Sequence, residues 1–402
     1  MGRTFGWRSA LLLFAAACSA ERVTAPGVCP QFCAGVSITS RDTVLTTAVY
    51  GDSTYTGYVQ PFTANELIIT SGGTNSRAVL RFFRLLDTIQ INLNDTSRRP
   101  VVATDSFRVM VVTGRRSRLT GLTLSLYRLP YTVDTTSTYT DVAPYFADSM
   151  FIRDFPVADS VTFDSLFISI PTTALAPVPG DSGRYALGIA LKSPTPAYLA
   201  LGAAEGFVGA TLSRFVQVDS IPTVRAKRET VVSAALDTHI APPTGAVPAG
   251  VLAIGGAPSA RTFFRFNVPN AIIDSSNVVR ATLLLIPAAP ATGAPGDTLV
   301  LLPHGVSSDI GPKSPVQQAV VDSSGITGAR VVPGSADTIK VDVTFLVQNW
   351  KSDSLPPVRT IMVRQSPEGS SFGQVRFWST NDALRRPVLR VTYVPPLSYQ
   401  GR

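Results

Sequence analysis

Short apolar runs of alternating polarity recur along the whole chain, and none lengthens into an amphipathic helical stripe. In Arg77-Ala78-Val79-Leu80-Arg81-Phe82, the residues Ala78, Leu80 and Phe82 take one face and Arg77 and Arg81 the other. That is the period-two signature of a half-buried strand. Arg261-Thr262-Phe263-Phe264-Arg265-Phe266 repeats the pattern in the same phase, about half a chain length later. Each copy is preceded by a similar strand, Asp42–Val49 or Glu229–Leu236, and by a short apolar one, Glu66–Ile69 or Gly250–Ile254. The paired glycines Gly72-Gly73 and Gly255-Gly256 then suit turns with positive φ. Downstream, Leu122–Tyr127 matches Ala281–Ile286, Leu187–Pro194 matches Thr360–Pro367, and Thr211–Val218 matches Val388–Val394. The order is kept throughout, so the pattern predicts a tandem duplication. On this alignment the first copy carries an insertion at about 87–116, with an extra strand at 107–112.

Strand formers dominate, and 31 prolines and 30 glycines interrupt the chain often enough to keep the strands short. The expected fold class is all-β, as two tandem β-sandwich (jelly-roll-like) domains at 36–221 and 225–396, followed by a tail at 397–402. Repeats of this size are large enough to bury separate cores.

The N-terminus has Arg3 and Arg8, an apolar run from Ala10 to Ala17, and then Cys18. The run is too short to span a bilayer and has the layout of an export signal at 1–17. Ala15-Ala16-Ala17-Cys18 resembles a bacterial lipobox, with Ala15 where leucine is usual. The resemblance implies lipidation of Cys18 and a membrane partner through the acyl chains; ordinary cleavage near Ala17 or Ala20 is the alternative. Ser19, by resemblance to Gram-negative sorting, points to the outer membrane. Residues 18–35 then form a tether in which Cys29 and Cys33 close a small disulfide loop, with a redox or metal pair as the other reading.

The net charge of +8 comes from scarce acids in a chain only 15% charged. Arg98-Arg99, Arg115-Arg116-Arg118 and Arg385-Arg386 read as solvated loop charge, or as attraction to anionic polymer or lipid headgroups. No recognition motif accompanies them, which argues against nucleic acid. The chain has only two histidines and three cysteines, and no phosphate loop, nucleophile elbow or zinc-binding pair. Gly180-Asp181-Ser182-Gly183 reads as a turn rather than a protease nucleophile segment. Asp134, Asp141, Asp148, Asp154, Asp159 and Asp164 include no dense calcium loop. The expectation is therefore a non-enzyme without cofactor or metal.

The second copy continues with Val341–Trp350, then Val375–Ser379 and Arg386–Tyr393. This order resembles the DNRLRE domain, related to carbohydrate-binding module family 96. The resemblance covers about 225–396, and reaches 42–220 only through the duplication, where Asp164–Ser169 takes the place of the Asp342 segment. It implies an exported β-sandwich module and a polysaccharide or surface-protein partner. Val343, Leu346, Val347 and Trp350 fall at helical spacing, which makes Trp350 a core anchor ahead of a sugar platform. Trp378 alternates with Phe377, so one of the two faces outward and Trp378 is a candidate ligand platform. Tyr50, Tyr55 and Tyr58 are further candidates, and Tyr127, Tyr131, Tyr139 and Tyr145 enrich the same copy. The paired arginines of the repeated strand are expected to meet acids on neighbouring strands.

Overall fold

The computed structural model describes residues 39–57, 59–90, 98–159, 163–176, 181, 183–206, 208–221, 224–242, 245–294, 297–309, 321–322, 327–351 and 358–396. The expected signal peptide (1–17), the tether (18–35) with Cys18, Cys29 and Cys33, the residue Tyr58 and the tail at 397–402 lie outside them. Strand makes up 52% and helix 8%, so the fold is all-β, built from antiparallel sheets.

The strands are, in order, β1 (Arg41–Leu45), β2 (Val49–Thr56), β3 (Glu66–Ser71), β4 (Arg77–Phe82), β5 (Thr88–Gln90), β6 (Arg98–Arg116), β7 (Thr123–Leu129) and β8 (Phe151–Pro156). They continue with β9 (Asp164–Ile170), β10 (Ala186–Lys192), β11 (Ala197–Gly202), β12 (Thr211–Ile221), β13 (Val224–Ile240), β14 (Val251–Gly255), β15 (Ala260–Phe266) and β16 (Asn277–Leu285). The last are β17 (Leu299–Val306), β18 (Val321–Asp322), β19 (Ala329–Val331), β20 (Ile339–Asp342), β21 (Thr360–Ser366), β22 (Gln374–Trp378) and β23 (Val388–Val394).

Pairing sorts the strands into two sets whose membership differs from the sequence alignment. The first follows β3-β11-β6-β12-β13-β4-β10-β7-β8, with β5 and β9 on β6. The second comprises β1-β23-β16-β20 and β18-β17-β21-β15-β14-β22, with β2 on β15 and β19 on β17. The expected boundaries at 36–221 and 225–396 are therefore corrected. The opening segment β1–β2 pairs with β23 and β15 of the second set. The matching segment, β13, pairs with β12 and β4 of the first. The registers correspond: Leu45 faces Leu389 where Val232 faces Leu212, and Thr54 faces Thr262 where His239 faces Ala78. Each copy's opening segment thus sits in the other copy's sheets.

The same comparison corrects the insertion. β12 pairs with β6 as β23 pairs with β16, and β6 carries β9 as β16 carries β20. β7 meets β10 as β17 meets β21. So β6 is the counterpart of β16, and β7 that of β17, not of β16. Residues 87–116 hold a strand common to both sets, and the added length lies in β5 and the start of β6, which pair with each other. Two alternating apolar strands look alike in sequence, and only hydrogen-bond partners separate them.

Apolar faces close two main cores. One gathers residues from Leu67 to Ala234; the other takes Ala48 and Val49 together with residues from Leu252 to Val391. The predicted glycine turns hold, with φ of +76° and +64° at Gly72 and Gly73 and +83° and +89° at Gly255 and Gly256. At Gly255 an added Cβ would also lie 2.4 Å from Gln365 Oε1, so glycine meets both conformational and spatial demands there. Trp350 follows the helical turn Thr344–Gln348 and is buried against Phe266.

Candidate functional site

The repeated Arg strands diverge between sets. Arg261 makes a two-pronged contact to Glu368, at 2.8 Å from Nε and 2.8 Å from Nη2. Arg265, only 1% exposed, donates from Nε to Asp309 Oδ2 at 2.8 Å. Both meet acids, as expected. In the first set Arg77 lies over Tyr139 and Phe146, and Arg81 donates to the Val133 carbonyl and lies over Tyr131. The tyrosine-rich segment that follows β7 therefore serves as an aromatic cover over β4 and β10, where Tyr131, Tyr139, Tyr145 and Phe146 pack around Val79 and Ile240.

That cover borders an open cleft of about 490 Å³ between the two strand sets. One wall is the turn from Asp134 to Thr140; the others come from Phe62, the end of β13 at Thr238–Pro242, the β14–β15 turn at Ala257-Pro258, and Phe372. The sequence positions these groups by simple means. Asp134 accepts from the Thr136 N–H and hydroxyl, and Asp141 accepts from the Thr138 N–H and hydroxyl, so two acids fold the turn. These hydrogen bonds, rather than cations, hold both carboxyls below the usual aspartate range. Thr135, Ser137, Thr138, Thr140 and Thr238 place hydroxyl-bearing side chains around the cleft, with Tyr139, Phe62 and Phe372 as its aromatic surfaces. Such a lining offers paired donors and acceptors beside apolar rings, which suits a polyhydroxylated ligand.

His239 forms part of the floor and is fully buried against the Phe372 ring. Its Nδ1 accepts the Ile68 N–H at 3.4 Å. Burial pushes its pKa down to about 4, so the ring is neutral at physiological pH. In the second set Thr54 takes the equivalent place, its Oγ1 accepting the Ala253 N–H at 3.2 Å. Each exchanged segment thus supplies the side chain that satisfies a backbone donor at the edge of β3 or β14, and His239 has a structural role.

The aromatic residues singled out from sequence are not brought together. Trp378 is half-buried beside the fully buried Phe377, as alternation required, but the Arg385 guanidinium covers one ring face at 3.6 Å from the centroid. Tyr50 is exposed at the start of β2, whereas Tyr55 packs edge-on against Phe263. Of the cleft residues, Tyr139 and Asp134 stood out in the sequence, Tyr139 as an aromatic and Asp134 in the aspartate series. Phe62 lies in the short helical turn Pro61–Thr63, Thr238 near the end of β13 and Phe372 in a loop, and none carries a local signal of its place.

Among the described residues no three His, Cys, Asp or Glu side chains are grouped to hold a metal ion. The Arg184 N–H donates to the Asp181 carbonyl at 2.9 Å, a turn contact. No described helix is long and apolar enough to cross a membrane. No family model matches the chain, and no curated protein or solved structure matches it.

Proposed function

We propose that this is an exported envelope lipoprotein, anchored through Cys18 to the outer membrane, that binds polysaccharide without chemical turnover. The observation that carries the reading is the cleft between the strand sets, with its belt of hydroxyl side chains around Tyr139, Phe62 and Phe372. Aromatic rings supply apolar area for the carbon faces of a sugar, and hydroxyls pair with its oxygens. The order of segments resembling DNRLRE modules supports the same ligand class. Pull-down on insoluble polysaccharides and a glycan array test it. Retention of the wild-type chain, lost in Thr238→Arg and weakened in Tyr139→Ala, is the expected result. Failure to retain any glycan would end the carbohydrate reading.

A second reading, a protein-interaction surface lipoprotein without sugar affinity, is favoured by the outer face of β9, β6, β12 and β13. Phe167 and Val231 are more than half exposed there, and Arg108 lies between the Phe167 and Phe215 rings while bonding Glu229. Exposed apolar groups of this kind are common at protein contacts. Phe167→Glu would abolish partner capture under this reading and leave glycan retention intact under the first.

A further inference from the structure

The sides of the cleft differ chemically. The Asp134–Thr140 turn carries most of the hydroxyls, whereas Ala241, Ala257 and Phe372 line it from one packed apolar cluster. Thr238, beside that cluster, turns its hydroxyl to the His239 carbonyl at 3.4 Å. His239 leaves one polar atom over. Its Nδ1 accepts the Ile68 N–H, so the ring proton sits on Nε2. That N–H is buried and has no hydrogen-bond partner among the described residues. The Phe372 ring, at 78° to the imidazole with centroids 5.0 Å apart, offers it no lone pair. Thr54, the counterpart in the second set, bonds both Ala253 and Thr262 and leaves no donor over. A buried donor without an acceptor is costly, and this one belongs to the floor of an open cleft. The Asp134 carboxylate is taken up by Thr136 and Ser137, and the described lining residues include no lysine or arginine.

We propose that the cleft recognises an uncharged N-acetylated sugar, whose acetamido carbonyl accepts the His239 Nε2–H. The inference rests on the polysaccharide reading of the same cleft and names the class of glycan. A carbonyl oxygen only accepts, so it answers a lone donor and brings no hydrogen of its own; a sugar hydroxyl in that place would bury one beside apolar walls. The imidazole has no exposed surface, so the acceptor has to project from the sugar ring, as an acetamido group does, and the Phe372 ring gives way to admit it. The acetyl methyl then lies against Ala241, Ala257 and Phe372, and the ring hydroxyls meet the Asp134–Thr140 turn. A uronate carboxylate also accepts, but it would enter a cleft that already holds Asp134 and supplies no cation to pair it.

Calorimetry of the whole mature chain with matched oligosaccharides tests the assignment at neutral pH. The probes are oligomers of N-acetylglucosamine and N-acetylgalactosamine, the glucose and galactose oligomers of the same linkage, and oligogalacturonate. At least one acetylated oligomer should bind about tenfold more tightly than its unacetylated match, as expected when a buried donor gains its acceptor. Oligogalacturonate should bind more weakly than either. His239→Asn keeps an acceptor for the Ile68 N–H and withdraws the deep donor, so it should bring the acetylated and plain oligomers to within about twofold of each other. Circular dichroism checks that this variant is folded. A readout on the wild-type chain needs no variant: with ring-labelled histidine, the Nε2–H proton resonance of His239 should move on saturation with the acetylated oligomer and stay in place with the plain one. Equal or tighter binding of plain or uronate oligomers, an unchanged preference in folded His239→Asn, or an unmoved Nε2–H resonance at saturation would each overturn the N-acetyl assignment while leaving polysaccharide binding standing. No binding by any oligomer, together with an empty glycan array, would overturn both.

Discussion

Arg265 and Asp309 form a deeply buried ion pair, with side chains 2% and 1% exposed. Asp309 accepts from Arg265 Nε at 2.8 Å and Nη2 at 3.4 Å, and from the Thr360 hydroxyl at 2.8 Å. Arg265 Nη1 also reaches Ser53 Oγ at 3.5 Å, which joins β2 to β15. Asp309→Ala removes the carboxylate that accepts from two nitrogens of the buried guanidinium. Two charge-assisted bonds at about 1.5–3 kcal/mol each point to the same figure as loss of one partner from a buried pair, about 3–5 kcal/mol. Arg265→Met should cost a comparable amount, because Asp309 then keeps only the Thr360 donor among these contacts. The double variant Arg265→Met/Asp309→Leu removes both charges together and should lie within about 2 kcal/mol of wild type. Arg81 is the equivalent residue in the first set, half-buried and bonded to one carbonyl, so Arg81→Met should cost only about 1 kcal/mol. Urea unfolding followed by tryptophan fluorescence measures the three second-set variants, since Trp350 and Trp378 both lie in that set, and urea unfolding followed by far-UV circular dichroism measures Arg81→Met. Single substitutions costing under about 1 kcal/mol, with an additive double variant, would refute the reasoning.

Removing β1–β2 by starting the chain at residue 57 should unfold the second core, because β15 and β23 lose a partner and the fully buried Val49, worth about 1.5–3 kcal/mol, is lost. A fragment spanning 59–240, which keeps β3 to β13, should stay folded by circular dichroism, and a peptide of 39–57 added to the truncated chain should restore hydrogen-exchange protection in β15. For pH, Asp237 is raised from 3.8 to about 6 in the fold, so its contribution to stability is present below 3.8 and lost as pH rises to about 6; His239 is lowered from 6.5 to about 4, so its contribution is present above 6.5 and lost as pH falls to about 4. The two slopes oppose each other, and Asp237→Asn should unmask a steeper acid destabilisation in thermal melts, on the order of 3 kcal/mol across the His239 window. Cys18→Ser should release the protein from membranes in fractionation, and retention without fatty-acid labelling would refute the anchor.

Strand content was legible in the sequence wherever a period-two pattern ended in a strong turn. Arg77–Phe82 and Arg261–Phe266 are strands, the second buried on both faces where a half-buried one was expected, the paired glycines are turns, and Trp350 is buried as its spacing required. The cleft was less legible because it is assembled from distant segments. Phe62, Tyr139, Thr238 and Phe372 meet only when the turn after β7 folds over β4 and the loop before β22 reaches β13.

Partner choice was hidden for a different reason. Asp42–Val49 and Glu229–Leu236 carry nearly the same alternation, so each has an apolar face able to cover either core, and local pattern gives no preference between them. What separates them is cross-strand detail. Asp42 bonds Arg390 and Thr392 on β23, whereas Glu229 bonds Arg108 on β6. Thr54 is short enough to sit at the edge of β14 beside Thr262, whereas the larger His239 ring spans to β3 and packs on Phe372. Exchanging these segments back would put a threonine where the histidine fills the space beside Phe372, and an imidazole where Thr54 bonds Thr262. The crossed arrangement is thus specified by a few side chains that differ between otherwise interchangeable strands, which is why duplication could be read from the pattern while the boundary between the copies could not.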